Sequence, residues 1–137
     1  MNAIELDLLA RTVYGEARGE SFVGKLAVAC VIVNRAMHPR WWGNDLMDVC
    51  LKPKQFSCWN DGDPNRAKCH AATTDDPVFI DCLVASRAAM GQLLPDPTKG
   101  SDHYHTRDVW PAWASGHECI ATIGTHLFYR LELEAVP

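Results

Sequence analysis

Four groups of residues have side chains able to do chemistry. The first centres on Glu16 in the segment YGEARGE, where an apolar helical pattern gives way to glycines at 15 and 19. A carboxyl at such a helix end, beside packed aromatic residues, is partly withdrawn from water. Burial penalises its charged form and raises its pKa. A carboxyl that keeps its proton near neutral pH is what protonation of a glycosidic oxygen requires. Position alone does not establish this, because helix-end glutamates are commonly just solvated. Glu20 follows four residues later, but Gly19 interrupts the helix, so the two carboxyls need not share a face. Glu20 is then either a second acid or a favourable charge at the positive start of the next helix. Arg18 pairs with one of them or faces water.

The second group is His103 and His105 with His126 further on. Alternate strand residues point the same way, which allows a three-histidine metal site. No HExxH pattern accompanies them, and polar packing or sugar contact is the stronger expectation, with no metal or other cofactor. The third is Cys58 with one of the six histidines, a thiol nucleophile and base as in wall peptidases. It lacks the helix start that would lower the thiol pKa. The fourth is the set Trp41, Trp42, Trp59, Trp110 and Trp113, whose faces suit either a core or the apolar faces of sugar rings. Trp110 and Trp113, framing Pro111, read as the structural pair. Trp59, in a polar loop, reads as the sugar contact.

These residues must be held by a mainly helical frame. Residues 3–17 show helical apolar spacing that stops at the two glycines. Ser21 is an N-cap for FVGKLAVACVIVNRAMH, whose near-continuous apolar stretch marks a central buried helix. A short helix fits residues 45–51, and residues 52–74 read as one long loop. Asp76 and Pro77 start a third long helix through about residue 94. DHYHTRDVW and GTHLFYRLELE alternate in character and predict two or three short strands.

The 137 residues suit one domain, with 47% hydrophobic and 22% charged residues, and exclude a disordered chain. A formal charge of -4 with scattered Lys and Arg argues against nucleic-acid binding. The longest apolar run, residues 26–33, is too short to span a bilayer. No basic, apolar leader is visible, so synthesis in the cytoplasm is expected. Cys30 and Cys82 fall in apolar helical patterns and read as buried thiols. Cys50, Cys58 and Cys69 lie where a bridge is possible after export.

Taken together, LARTVYGEARGES, GKLAVACVIVNRA, PKQFSCWN, DPTKGSDHYH and IGTHLFY resemble the cell wall hydrolase family of spore cortex-lytic enzymes (SleB and CwlJ type), in order and spacing, from about residue 8 to 129. The resemblance implies an α+β, mainly α, lysozyme-like domain with a small β element, spanning residues 1–137 as one catalytic unit. It implies cleavage between N-acetylmuramic acid and N-acetylglucosamine in peptidoglycan glycan strands, by a monomer. The family's catalytic Glu corresponds to Glu16. Its QF element maps onto Gln55 and Phe56, its D-P-T-x-G-A element onto Asp96, Pro97, Thr98 and Gly100, its aromatic onto Tyr104, and its terminal G-x-H-x-F onto Gly124, His126 and Phe128. Ser101 stands where the family commonly has Ala, and Lys99 where a small residue is frequent.

A hydrolase with two carboxylates needs a second acid about 5 to 9 Å from the first, and only Asp96 and Glu20 are nominees. A lytic transglycosylase needs one carboxyl, used as acid and then base, and leaves 1,6-anhydro-muramic ends. This is the preferred expectation, with Gln55, Thr98 and Tyr104 hydrogen-bonding the sugar and Phe56, Asp96, His126 and Trp59 lining its site. The short form also resembles phage lysis enzymes released to the wall through a membrane pore.

Overall fold

The computed structural model describes residues 1–133. Helix α1 (Ala3–Ala17) begins with a reciprocal cap in which Asn2 Oδ1 accepts from the Glu5 amide at 2.9 Å and Glu5 Oε1 accepts from the Asn2 amide at 3.0 Å. It does not stop at Gly15. Gly15 is helical, and only glycine fits there because two cysteines lie against it: an added Cβ would sit 2.7 Å from the sulfurs of both Cys58 and Cys69. Close approach, and not helix breaking, explains the residue.

Helix α2 (Phe22–Met37) is capped by Ser21, and nearly every side chain from residue 24 to 33 is buried. It packs against α1 and against α5 (Pro77–Met90), so three helices enclose the main core of Leu9, Val13, Val28, Ile32, Phe79 and Ala85. The short α3 (Leu46–Leu51), capped by Asp45, closes one side with Val49 and Cys50. Helix α5 ends four residues earlier than expected, at Gly91, where Gln92 takes φ 52° and turns the chain away.

Residues 52–74 are not one loop. A 3-10 turn at Ser57–Trp59 is followed by α4 (Pro64–Ala71), started by Asp63, whose side chain accepts from the Asn65 amide at 2.8 Å. Only Cys69 of α4 is buried, so the helix has no apolar stripe from which its period could be read. Its start was nevertheless written in Asp63-Pro64, the same N-cap and first-turn proline as Asp76-Pro77.

The sheet has three antiparallel strands in the order β1, β3, β2: β1 (His103–Thr106), β2 (Ala121–Ile123) and β3 (His126–Tyr129). Tyr104 lies opposite Phe128. The strand expected over DHYHTRDVW ends at Thr106, after which Ala112–Ala114 forms a 3-10 turn. That expected over GTHLFYRLELE ends at Tyr129, and Glu134 lies outside the described residues. No described helix is long and apolar enough to cross a membrane.

Candidate acid-base site

Glu16 occupies the last turn of α1 and is half-buried. Tyr104, delivered by β1, donates its hydroxyl to Glu16 Oε1 at 2.6 Å. No hydrogen bond reaches Oε2 from the described residues. Burial pushes the Glu16 pKa up, the Tyr104 hydrogen bond pulls it down, and the nearby charge of Asp63 pushes it up again; the net direction is up. The carboxyl is therefore biased toward its protonated form, with one oxygen fixed and the other open. The Tyr104 ring is itself held edge-on by His126, centroids 5.0 Å apart, and by Phe128 behind it.

A groove of about 270 Å³ is lined by Tyr104 together with Arg35, Trp41, Gln55, His103 and Trp113. Gln55 donates to the carbonyls of Val49 at 2.7 Å and Trp42 at 3.2 Å, tying α3 to the groove, and its Oε1 is buried without a partner. Trp41 is half exposed. Larger cavities sit at α5's end, around Asp96 and beside Trp41 and Trp42; none of them is lined by Tyr104, and Glu16 lines neither these nor the groove.

Several residues expected to meet a sugar are spent on structure. Thr98 is fully buried: its hydroxyl donates to Asp96 Oδ1 at 2.6 Å and accepts from the Ser101 amide at 3.2 Å. Asp96 takes four hydrogen bonds, from the Thr98 amide and hydroxyl, the Gly100 amide and Asn34 Nδ2, and so organises its own loop. Phe56 is core, and His126 is buried behind Tyr104 with its pKa lowered by burial. Trp59 is not an open sugar platform: its indole N–H donates to Thr12 Oγ1 at 3.0 Å and it packs between α1 and α4. The expected structural pair divides: Trp110 is 67% exposed with its ring against His105, whereas Trp113 packs on His103, His105 and Tyr129 and also lines the groove.

Glu20 is engaged too. Its oxygens accept from the Thr125 amide at 2.9 Å and the Thr125 hydroxyl at 3.1 Å, fastening the α1–α2 turn to the β2–β3 hairpin. Gly124 is left-handed at φ 58° and lies directly under that carboxylate, leaving no room for a side chain. The acid whose charge Glu16 senses is Asp63, which sequence reasoning passed over along with α4. Arg18 bonds Asn65 of the same helix at 2.6 Å and pairs with neither glutamate.

The thiol and metal alternatives find no support in this geometry. Cys58 is fully buried, and its hydrogen bond with Cys69, together with burial, pushes its thiol far up, opposite to what a nucleophile needs. All six cysteines are free thiols. His105 is bonded to the Tyr129 hydroxyl at 2.8 Å and the Thr106 carbonyl at 2.7 Å, while His103 is bonded to Asp102. Among the described residues no three His, Cys, Asp or Glu side chains converge as a metal would need.

The departures in the DPTKGS loop are explained locally. The Ser101 hydroxyl donates to the Thr98 carbonyl at 2.7 Å, so the buried oxygen is satisfied. Lys99 sits at φ 57°, the left-handed region, where a non-glycine residue costs about 1 kcal/mol.

A mainly α domain with a small sheet thus half-buries one carboxyl at a helix end and joins it through Tyr104 to a groove lined by Trp41 and Trp113, which Glu16 itself does not line. Residues 19–129 match the Cell Wall Hydrolase family, and the chain belongs to it. It is 34% identical over 127 residues to the spore cortex-lytic enzyme of Halalkalibacterium halodurans and 30% identical over 127 residues to that of Bacillus subtilis. Each alignment covers 90% of this chain but 34% and 37% of those relatives, so the chain spans about a third of their length. Among solved structures it is similar to the catalytic domain of the Bacillus cereus SleB protein, with TM-score 0.75, 27% identity, and 95% of this chain and 92% of that one covered. The catalytic domain of the germination-specific lytic transglycosylase SleB from Bacillus anthracis gives TM-score 0.74 at 27% identity, covering 95% and 97%. The mainly helical fold with a small antiparallel sheet is thus shared with those domains.

Proposed function

We propose that this domain cleaves peptidoglycan glycan strands at the bond between N-acetylmuramic acid and N-acetylglucosamine, as a lytic transglycosylase with Glu16 as its acid and base. The observation that carries the reading is the state of the carboxyls. Glu16 is pushed toward protonation with one oxygen open, while the other two acids nominated for the site are engaged on both oxygens, Glu20 by two hydrogen bonds from Thr125 and Asp96 by four. Membership of the Cell Wall Hydrolase family and the likeness to a solved lytic transglycosylase domain support it.

In this mechanism the Glu16 carboxyl gives its proton to the glycosidic oxygen as the bond from muramic C1 breaks. The resulting carboxylate takes the proton of the muramic 6-hydroxyl as that oxygen closes on C1. The 1,6-anhydro ring forms, and Glu16 ends protonated as it began. Tyr104 holds Oε1 throughout, so that Oε2 carries the proton. Gln55, through its free Oε1, is the acceptor for an acetamido N–H.

One observation favours a hydrolytic variant: the charge of Asp63 is felt at Glu16, so a second carboxylate stands near it after all. Mass spectrometry of muropeptides from purified walls separates the two. Anhydro ends, one water lighter, are expected; reducing muramic ends alone would replace the transglycosylase by a muramidase using Asp63.

The relatives described above are named as spore enzymes of bacilli, so they lend nothing to the expectation of a phage lysis protein. In this reading the domain acts at the cell wall or spore cortex, as a single catalytic unit without a cofactor.

A further inference from the structure

We infer that Cys58 and Cys69 are a disulfide-forming pair, oxidised by a low-molecular-weight disulfide such as oxidised glutathione, and that the bond staples α4 to the 3-10 turn beside the last turn of α1. In the structure both are thiols and both are buried. Their sulfurs meet over one point of α1: a Cβ placed on Gly15 would lie 2.7 Å from each, and the Cys58 thiol is hydrogen-bonded to Cys69. The backbones that carry them run side by side, since the next residue of each, Trp59 and His70, also pack ring against ring with centroids 5.4 Å apart. Each side of the pair is moored to α1 by a further bond. Trp59 donates its indole N–H to Thr12 Oγ1 at 3.0 Å, and Arg11 Nη1 donates to the Cys69 carbonyl at 2.8 Å. The other thiols have partners of a different kind: Cys30 is set against Asp96, Cys50 against Thr12, and Cys119 donates to the Ala121 carbonyl at 3.1 Å, while Cys82 is buried on α5.

Helix α4 supplies the reason for a bond. It has eight residues and one buried side chain, and that side chain is Cys69. A helix this short is not stable by itself in water, and residues 60–68 bring no apolar side chain larger than proline or alanine to hold it. Such a segment opens locally at low cost. Yet it carries Asp63, whose charge is felt at Glu16, and Asn65, which holds Arg18. A disulfide at Cys69 holds it where hydrophobic burial does not, because closing a loop of about a dozen residues restricts the opened chain. Opening also gives the oxidant its way in. Cys69, deprotonated by solvent, attacks one sulfur of the external disulfide and displaces a thiolate. Cys58 then gives its proton to solvent and attacks the Cys69 sulfur of the mixed disulfide, displacing the second thiolate. Each leaving thiolate takes up one of the protons that the cysteines gave up. One external disulfide is reduced to two thiols, and two protein thiols are oxidised to one S–S bond. Two bonded sulfurs need less room than two thiols in contact, so the space over Gly15 still accommodates them.

The test compares oxidised and reduced protein in a Cys119→Ser background, which removes the one thiol that is not buried and so prevents links between chains. Equilibrated with oxidised glutathione, the protein should lose two free thiols and two hydrogens of mass per chain, and a non-reducing peptide map should join the peptides that hold Cys58 and Cys69. Its melting temperature should exceed that of the reduced protein by about 5 °C or more, and amide exchange within α4 should slow about tenfold. Cys58→Ala and Cys69→Ala should each abolish both differences. Cys82→Ala, which removes a buried thiol on another helix, should retain them. If a variant fails to fold, the map and the two redox states of the parent still decide. Retention of every thiol, a map that joins other cysteines, or glutathione left on Cys69 as a mixed disulfide would overturn the pairing. A Cys58–Cys69 bond that leaves melting and α4 exchange unchanged would overturn its role as a staple.

Discussion

Two carboxyls withdrawn from water lie near the start of β1, one just before the strand and one held by its second residue, and the protein treats them in contrary ways. Asp102, just before β1, is completely buried. Burial pushes its pKa up, but His103 and the amides of Leu131, Glu132 and Leu133, at 2.8 to 2.9 Å, outweigh that and hold it at about 2. Glu16, reached by Tyr104 two residues further along, has one phenol donor and a neighbouring acid, and is pushed up. The number of donors, and not burial itself, separates a structural anchor from a proton carrier. Asp102 fixes the segment after β3, and Glu16 is the carboxyl whose protonated form is favoured.

The contrast breaks most visibly if each carboxyl is removed. Glu16→Gln keeps the shape and the Tyr104 contact but carries no transferable proton, so glycan release should fall by about 10³-fold, within the range for lost acid-base catalysis. The folded protein should be no less stable for it. Because the folded pKa of Glu16 lies above its unfolded value, its contribution to stability is fully present below the ordinary carboxylate range and is lost as pH rises through the folded value. Thermal melting of the variant should therefore equal or exceed that of the parent at pH 8. A lower melting temperature there would put Glu16 with Asp102 among the structural groups.

Asp102→Ala should do the opposite. Three amides lose their acceptor in a buried place, and unsatisfied buried groups cost roughly 1 to 3 kcal/mol each, so a loss of about 3 kcal/mol or more is expected in denaturant titration. The parent should also lose about 2 kcal/mol as pH falls from 3.8 toward about 2, because the depressed pKa makes this stability present above the unfolded value and lost below it. The variant should lack that slope. If its acid unfolding matches the parent's, the hydrogen bonds to Asp102 are not what lowers its pKa.

Tyr104→Phe tests the donor count directly. Removing the hydroxyl leaves Glu16 with no donor, so its pKa should rise further, and the alkaline limb of the pH–rate profile, where the acid form is lost, should move to higher pH. A fall of about tenfold in kcat is expected as Oε1 loses its anchor. A limb that moves to lower pH would contradict the assigned role of the phenol.

Much of this frame was legible in the sequence. Caps at Ser21 and Asp76 and the apolar density of residues 24–33 placed α2 and α5, residues 45–51 read as a short helix where α3 lies, and the helical spacing of residues 3–17 placed α1. What stayed hidden depends on contacts between distant segments. Gly15 reads as a breaker until Cys58 and Cys69 are seen against it. His126 reads as a polar site residue because nothing local reveals that it packs behind Tyr104, whereas Thr98 is engaged by Asp96 only two residues away, in a turn whose hydrogen bonds its residue types left open. Trp59 is tied to Thr12 while Trp113 lines the groove, because the polarity of a loop says little about which face of an indole it covers. Asp63 is the exception, since its signal was local and present.

The smallest effect belongs to Asp63, and its sign is the informative part. Its charge adds to the rise in Glu16's pKa, while its side chain caps α4 through the Asn65 amide. Asp63→Asn keeps a capping oxygen, at little cost to the helix, and removes the charge. The alkaline limb should then move to lower pH, opposite to Tyr104→Phe, with glycan release reduced only a few-fold at neutral pH. A loss approaching that of Glu16→Gln would mean that Asp63 acts on the bond itself. The site would then be a two-carboxylate hydrolase, and the number of donors around Glu16 would no longer suffice to explain its chemistry.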